Sequence, residues 1–577
     1  MAQAAGAGWR ATFLDRVDLR RVFTPKVAIL AVAMALVGYL AVVPLGYLLW
    51  GTFLSEGGTL TLEHFRRAYT SQYALTTLAW NTLLFTVGSA AIAIPLGTAL
   101  AYLNVRTNVP LKSLVFAASL VPLIIPGILH TIAWIFLASP RIGMINQAVE
   151  PLLGEEFFDI FSLAGMALVE GLHVTPLVFL LMVAAFKSMD PSLEESALLS
   201  GGKRFTVFRR ITLPLVKPGI YAATLIIVVN GMSSFEVPAL LGIPDGIWVF
   251  TSRIWRVLSG YPSDYGQAGA YALSLLAITT VGVFLQSRLS RRGKSFQTVT
   301  GKGFRPRPLE LGPWRWPAMG VVVLYFTVAV VLPMFVLFYI STQKFYQPPS
   351  WETLSNMTLD NYRYIAEHSQ VKRAFRNSFM LGIGSATGVM FMMAIISWIV
   401  VRTKVPGRWA LDNLSFLPMV VPGLVMGVAL LFVYLRAPLP IYGTMWILLI
   451  AYFTRYMPYG MRYASTSMYQ IGGELEESAL VSGATWWQQF RRVTLPLLMP
   501  GLIAGWIYIV MVSVRELSSS ILLYSPGNEV LSIVIWEQWE NGQSNELAAL
   551  GMVMIALLVV LVTVGAKLGA KVGVKSE

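Results

Sequence analysis

A few ionisable side chains lie within long apolar stretches of this sequence, and they are the residues whose types and spacing could do chemistry. They are Glu170, His173, Glu236, Arg455, Arg515 and Glu516. A charge in lipid is costly unless it faces a cavity or a partner, so these residues are candidates for a solute pathway. No nucleophile–base constellation and no carboxylates spaced for acid–base work accompany them. The pattern therefore favours transport of a charged solute over an enzyme acting within the membrane.

Glu236 and Glu516 occur in related settings, SSFEVP and SVREL, late in two predicted spans, and Arg515 precedes the second of them. We take Glu236, Arg515 and Glu516 as pathway or gate candidates. A carboxylate there could attract a cationic solute, or could hold the pathway shut by pairing with Arg515. The alternative is a structural role, as an interhelical ion pair or as a buried carboxylate bonded to backbone.

The chain contains no cysteine and only four histidines. This excludes disulfides, Cys-ligated zinc, Fe–S clusters and thiol catalysis. His64 and His368 fall on predicted outside loops, and His130 has no charged neighbour in the sequence, so we expect it to be a packed polar residue. The histidine spacing does not suit a metal site, and we predict none in this chain.

The composition is typical of a polytopic membrane protein, with 56% hydrophobic and 12% charged residues against about 25% charged in soluble proteins. Twelve apolar segments are long enough to span a bilayer, which takes about 20 residues. They are 27–50, 78–104, 112–138, 162–186, 217–242, 268–287, 318–341, 375–401, 412–435, 443–466, 499–523 and 547–566. The predicted fold is therefore all-α, with twelve transmembrane helices, the first retained rather than cleaved.

Basic residues are distributed unevenly between the predicted loops. The 187–216 and 288–317 loops are rich in Lys and Arg, whereas the 139–161 loop carries Glu150, Glu155, Glu156 and Asp159. Because Lys and Arg stay on the cytoplasmic side, we expect both termini to be cytoplasmic. The net charge of +14 is explained by this topology, and we expect no nucleic-acid partner.

The second half of the chain repeats the first. The repeated positions at an offset of 296 are Asn81/Asn377, Arg106/Arg402, Pro110/Pro406, Pro122/Pro418, Pro126/Pro422 and Gly127/Gly423, and further on the offset is 282. Six helices followed by six related helices predict parallel repeats about an axis along the membrane normal. We divide the chain into a cytoplasmic segment 1–26, a half 27–287, a basic linker 288–317, a half 318–566 and a cytoplasmic tail 567–577.

The most informative motif occurs once in each half, on predicted cytoplasmic loops 192–220 and 474–502. The copies share Leu-Glu-Glu-Ser-Ala-Leu, a glycine six residues after the second Glu, and a later Leu-Pro. The residues singled out are Glu195, Ser196, Ala197 and Gly201, and Glu477, Ser478, Ala479 and Gly483. We expect a short helix that ends at a glycine, since glycine adopts conformations other residues resist. We also expect Pro214 and Pro496 to stop the following element.

This pattern resembles the EAA loop of ABC importer permeases, with Ser in place of the first Ala. The resemblance extends over most of both halves of the chain. It implies a type I permease in which both transmembrane halves are fused. In that family the loop forms a coupling helix that sits in a groove of the ATPase, and helices in the place of the fifth span line the central pathway. The resemblance further implies an extracytoplasmic solute-binding protein, the bilayer of the bacterial inner membrane and an ATPase homodimer as partners.

No P-loop of the form G-x-x-x-x-G-K-[ST] is present: GGKR at Gly201 and RGKS at Arg292 come nearest. We therefore expect ATP and Mg²⁺ to be used by a separate subunit, with no cofactor bound by this chain. A secondary transporter with parallel repeats shares the twelve spans but does not need two such loops.

The solute is less well indicated. The fused chain, with SPRIGMINQ at Ser139–Gln147 and SSFEVPALLG at Ser233–Gly242, looks like the ferric-iron subgroup of these permeases. Related subgroups carry thiamine, polyamines, phosphonates or sulfate, and they remain alternatives.

Overall fold

The computed structural model describes residues 25–55, 57–70, 75–154, 157–190, 192–293, 308–436 and 438–571. These residues form helices joined by short connections, and the two β-bridges among them, Leu54 with Leu60 and Thr107 with Leu309, are isolated. The all-α prediction is confirmed. The predicted segment 1–26, apart from its last two residues, and the central part of the predicted linker, 294–307, lie outside the described residues, as does 572–577.

The helices of the first half are numbered along the chain. They are α1 (Pro25–Thr52), α2 (Glu63–Tyr69), α3 (Leu75–Arg106), α4 (Lys112–Leu120), α5 (Gly127–Ala138), α6 (Met144–Leu153), α7 (Leu163–Lys187), α8 (Ser192–Leu199), α9 (Arg204–Val207), α10 (Leu213–Ser233), α11 (Phe250–Ser259) and α12 (Tyr265–Gly293).

The second half continues the numbering. Its helices are α13 (Arg315–Phe326), α14 (Leu332–Ser341), α15 (Trp351–Ser355), α16 (Asp360–Glu367), α17 (Ser369–Arg402), α18 (Arg408–Phe416), α19 (Gly423–Tyr434), α20 (Met445–Gln470), α21 (Glu474–Val481), α22 (Trp486–Gln489), α23 (Leu495–Val514), α24 (Ser520–Leu523), α25 (Leu531–Glu540) and α26 (Ser544–Lys571). From α3 and α17 onward the long helices correspond one to one.

In the described part of the chain, nine helices are long and apolar enough to cross a membrane, or up to eleven if each of two bent pairs counts as one span. The bent pairs correct two predicted spans, 112–138 and 412–435. Each is two helices, related by 94° and 108°, because a Pro-x-x-x-Pro-Gly segment interrupts the helical hydrogen bonds. The predicted span 443–466 is a helix, α20, but it carries Arg455 and Arg462 and is not among the eleven.

The predicted fifth and eleventh spans also need correction. Their helical runs cover Arg204–Ser233 and Trp486–Val514, so both begin and end earlier than predicted. The expectation that Pro214 and Pro496 stop the helix is wrong. A π-helical turn precedes each Leu-Pro pair, at Phe208–Thr212 and Phe490–Thr494. The wider turn accommodates the missing N–H and the proline ring, and the helix continues.

Helices α3 and α7 form the closest pair of the first half, and small residues explain how near they approach. A Cβ on Gly97 would stand 2.6 Å from Val178, and one on Gly171 would stand 2.8 Å from Ile92. Such small-residue contacts are a usual way for membrane helices to pack.

The first helical run of each half, α1 in one and α13–α14 in the other, packs against the opposite half. Helix α1 lies along α19, where the Tyr39 and Tyr434 hydroxyls are 3.0 Å apart. Helix α14 lies along α5. Each bent pair therefore contacts a helix of the other half, through α5 in the first half and α19 in the second. The two halves form one packed unit.

Candidate coupling loops and translocation pathway

The EAA-like loops form two short helices, α8 and α21, that end in the same way. Gly201 N–H bonds the carbonyl of Leu198 at 3.0 Å, and Gly202 N–H bonds that of Ala197 at 2.9 Å. This is the Schellman arrangement, which requires a left-handed residue after the helix. Gly201 has φ +84°. The spacing from the motif alanine to the glycine is therefore the spacing of a helix cap.

The second loop repeats this cap residue for residue. Gly483 N–H bonds the carbonyl of Leu480 at 3.0 Å, and Ala484 N–H bonds that of Ala479 at 3.1 Å. Gly483 also has φ +84°. The expectation that the two glycines adopt a conformation that other residues resist is confirmed at both positions.

An ion pair fixes α8 to the end of α3. Arg106, the last residue of α3, donates from Nη2 to Glu194 Oε2, and the Thr212 hydroxyl donates to Glu194 Oε1 at 2.6 Å. Arg106 is buried and Glu194 is largely buried. One carboxylate thus joins α8 to two long membrane helices.

The second half has the related pair Arg402–Glu476, with Nε 3.2 Å from Oε1. Here the arginine Nη2 also donates to the backbone carbonyls of Met468, at 3.0 Å, and Ile471. We call Arg106–Glu194 and Arg402–Glu476 the two clamps. Sequence reasoning missed their glutamates, although both arginines belong to the repeat match and both glutamates lie within the motif.

The outer faces of α8 and α21 expose apolar side chains. Leu199 and Val481 are repeat-related, and each is 89% exposed. Glu477 and Ser478 are exposed as well, whereas Glu195 is half-buried. The exposed faces of α8 and α21 leave a surface on which a partner could dock.

At the start of the first loop, hydrogen bonds from the backbone and side chain of Ser192 lower the pKa of Asp190.

The interrupted helices bring the polar residues of the first half together. Gly127 begins α5 directly after the break. A Cβ at Gly127 would stand 3.5 Å from His173 Nε2 and 3.7 Å from Glu236 Cδ. Glu236 lies just after α10 ends at Ser233, so its predicted place within the fifth span is corrected. Non-helical backbone at membrane depth is tolerated where it lines a cavity or is buried in protein.

The second half places an ion pair at the related position. Arg455 Nε lies 3.1 Å from Glu516 Oε2, which also accepts from the Tyr456 hydroxyl at 3.0 Å. Glu516 Oε1 accepts from the N–H and hydroxyl of Ser519 at 3.0 and 2.9 Å. Arg455, rather than the expected Arg515, is therefore the partner of Glu516. Glu516 follows the end of α23 at Val514, which corrects its predicted place in the eleventh span.

Arg515 instead reaches into the other half, where its Nη1 donates to the carbonyl of Leu123 at the break before α5. The aromatic rings of Trp255 and Trp536, at matching places in α11 and α25, meet edge to face with centroids 5.3 Å apart. Residues that the repeat relates can touch only at the axis between the halves, so this contact locates it. Phe235, next to Glu236, packs on Trp536 at 5.5 Å.

Two further polar residues of the first half lie nearby. Glu170 accepts a hydrogen bond from the Ser234 hydroxyl at 2.9 Å. The His130 ring lies 5.3 Å from that of His173. His130 is fully buried, and neither of its ring nitrogens has a hydrogen-bond partner. It is packed, as expected, but it packs beside His173.

No group of three or more His, Cys, Asp or Glu side chains suited to a metal ion occurs among the described residues. The arrangement around Gly127 supplies one imidazole and one carboxylate, which is too few for a resident metal.

Comparisons with known proteins match both halves. A family described as "Binding-protein-dependent transport system inner membrane component" matches residues 93–295 and again residues 390–571. The chain is 24% identical over 453 residues to the ferric transport system permease protein FbpB of Actinobacillus pleuropneumoniae, covering 77% of this chain but only 64% of that protein. It is 27% identical over 470 residues to the Fe(3+)-transport system permease protein FbpB 2 of Haemophilus influenzae, covering 80% of this chain and 84% of the relative.

Proposed function

We propose that this chain, which belongs to the family of binding-protein-dependent transport system inner membrane components, is the permease of an ATP-driven importer of ferric iron. The family match covers both halves, so two membrane units are fused in one multi-pass inner-membrane protein. Ferric iron is the solute named for both relatives. Polyamines, thiamine, phosphonate and sulfate are the alternatives that a transport assay must exclude.

The two matching coupling helices carry the proposal. Each presents an apolar side chain, Leu199 or Val481, on a helix that a clamp fixes to the membrane bundle. Two near-equivalent surfaces suit an ATPase homodimer, which binds ATP and Mg²⁺ itself. ATP-driven movement of the docked subunits then reaches α3 and α10 through Arg106, Glu194 and Thr212.

The pathway runs between the halves, where the interrupted helices meet. Glu236, Arg515 and Glu516 are its gate candidates. The Arg515 contact with Leu123 and the edge-to-face contact of Trp255 with Trp536 both cross between the halves. Separation of the halves breaks both contacts, so they close the pathway in this conformation. An extracytoplasmic binding protein delivers the solute at the end opposite the coupling helices.

The orientation belongs to the same proposal. The coupling helices must face the cytoplasm to meet an ATPase, which places both termini inside, in agreement with the Lys/Arg distribution. Because the chain lacks cysteine, single cysteines report the sides directly. A membrane-impermeant maleimide is expected to label Leu152→Cys from outside and Leu199→Cys only after permeabilisation. The reverse pattern contradicts the orientation.

The functional test is uptake of ⁵⁵Fe(III) into proteoliposomes that contain the permease with its ATPase and binding protein. Uptake is expected to require ATP and the binding protein. The double variant Glu195→Gln/Glu477→Gln is expected to insert normally into the membrane. Its uptake rate is expected to fall at least tenfold, and the binding protein is expected no longer to stimulate ATP hydrolysis. Glu367→Gln, an exposed glutamate in α16, is the control. Uptake without ATP, or full uptake in the double variant, contradicts the proposal.

A further inference from the structure

The two halves place different residues at the same point beside their interrupted helices. Gly127 and Gly423 are related by the repeat, as are His173 and Arg455. The carboxylates Glu236 and Glu516 follow α10 and α23 by three and two residues. Each half thus has a glycine, a carboxylate and one nitrogen-bearing side chain, and only that last side chain changes, from imidazole to guanidinium.

The geometry beside the glycines shows what the change does. A Cβ on Gly423 would stand 2.4 Å from Arg455 Nη1, so the guanidinium occupies that point. The corresponding point at Gly127 is 3.5 Å from His173 Nε2 and 3.7 Å from Glu236 Cδ. The imidazole is shorter and stops short of the place that the guanidinium reaches. One positive charge is therefore built into the second half and is missing from the first.

Glu236 is left without a cation of its own. Among the described residues it takes part in no ion pair, and Arg455 and Arg515 influence it only from a distance. Both arginines have other acceptors, Glu516 and the Leu123 carbonyl. The N-terminal end of α5 also lies beside Glu236, but it supplies no full charge.

We propose that His173 and Glu236 form a transient binding site for a cationic cargo, in the place that the Arg455 guanidinium fills in the second half. The inference rests on the proposed import function and adds the point at which the cargo is held. His173 supplies an imidazole nitrogen and Glu236 a carboxylate, and both suit a hard or borderline metal cation. With only two protein donors, the site holds the cargo weakly enough to release it.

His130 supports this assignment independently. It is fully buried against His173, and neither of its ring nitrogens has a partner. A buried polar group without a partner is costly and calls for an explanation. The two imidazoles are neighbours. If His173 turns one ring nitrogen towards a cargo, His130 can form a hydrogen bond with the other ring nitrogen of His173.

The decisive variant is His173→Arg, which places a guanidinium where Arg455 has one. It is expected to pair with Glu236, as Arg455 pairs with Glu516, and so to occupy the site from within. Binding is measured by equilibrium dialysis of ⁵⁵Fe(III) nitrilotriacetate against the full chain in nanodiscs, and uptake in the complete proteoliposome system. Both are expected to fall at least tenfold, while binding-protein-stimulated ATP hydrolysis persists.

Glu236→Gln tests the carboxylate without adding bulk and is expected to lower iron binding by a similar factor. His368→Arg makes the same substitution at the start of α17, outside the site, and serves as the control. Undiminished iron binding in either site variant overturns the cation site, even if uptake is lost. If the wild-type protein binds iron but does not import it, the cation site stands and the proposed function as an iron importer is overturned.

Discussion

The coupling loops are alike in the two halves, but the polar residues beside the pathway are not. At the loops, the helix length, the cap hydrogen bonds, the glycine φ and the arginine–glutamate clamp all recur. At the pathway, the first half has His130, His173 and an unpaired Glu236, whereas the second half has an Arg455–Glu516 ion pair. In the proposed importer, the loops fit two similar ATPase surfaces, while a single cargo passes between the halves.

This difference indicates which parts of the repeat are free to diverge. A symmetric pathway of two carboxylates without cations would gather negative charge at the axis. Neutralising one carboxylate with Arg455 leaves a single unpaired carboxylate. If the proposed cation site is correct, this asymmetry gives the cargo a single preferred point of contact.

The largest expected effect comes from removing the arginine of the Arg455–Glu516 ion pair in the second half. Arg455→Met removes the cation from a buried pair and leaves Glu516 with only its hydroxyl and N–H donors. Loss of one partner of a buried pair costs about 3–5 kcal/mol. His173→Met in the first half removes no ion pair and is expected to cost below about 1.5 kcal/mol, as a core change of similar volume does. Unfolding in mixed detergent–SDS micelles compares the two variants.

Equal losses in the two variants would contradict the comparison, because His173 would then carry as much stability as Arg455. The double variant Arg455→Met/Glu516→Gln provides the control. Removing both charges together is expected to recover part of the stability, since no carboxylate is then left buried without a cation.

The sequence predicted the short helices of the two loops and their glycine caps, but not the clamps or the continuation of the helix through Pro214 and Pro496. The repeated Glu-Ser-Ala…Gly spacing is local, and the cap that explains it involves hydrogen bonds between residues five apart or fewer. The all-α class and most spans also follow from long apolar runs. Local patterns succeed here because the structure that they specify is itself local.

The pathway could not be predicted to the same depth. Arg455 and Arg515 are sixty residues apart, and nothing local shows that Glu516 bonds the distant one rather than its neighbour. The breaks at 124–126 and 421–422, each ending in a proline, fold two predicted spans into bent pairs. That bending brings Leu123 to Arg515 and Gly127 to Glu236, and it depends on packing between helices far apart in the chain.

The clamps offer an intermediate test, because they are alike in type but differ in support. Arg402 donates to two backbone carbonyls besides Glu476, whereas Arg106 depends on Glu194, which also holds Thr212. Glu194→Gln is therefore expected to weaken the coupling of ATP hydrolysis to uptake more than Glu476→Gln does, by about threefold or more. Uptake per ATP hydrolysed in proteoliposomes measures this.

Reversal of the charges separates a clamp from a simple packing role. Arg106→Glu/Glu194→Arg is expected to regain part of the coupling that either single change loses. If the double variant is no better than the singles, or if Glu476→Gln is the more damaging change, the two clamps do not differ as the structure indicates.

The smallest expected effect concerns an ion pair that only the second half has. Glu529, after α24, bonds Arg373 Nε at 3.0 Å and the N–H of Gly527 at 2.8 Å. Burial raises the pKa of Glu529, but these hydrogen bonds outweigh it and hold the pKa below its ordinary value.

A carboxylate whose pKa is lowered by folding stabilises the protein at pH values above its unfolded pKa of about 4.3. This stability is lost as the pH falls through the folded pKa. Arg373 is 35% exposed, so solvent screening weakens the pair. Glu529→Gln is therefore expected to lower the melting temperature slightly at pH 7, and the deficit is expected to shrink as the pH falls through the folded pKa. Glu367→Gln controls for general charge loss. A deficit that persists unchanged at low pH would show that Glu529 stabilises the second half by packing rather than by its charge.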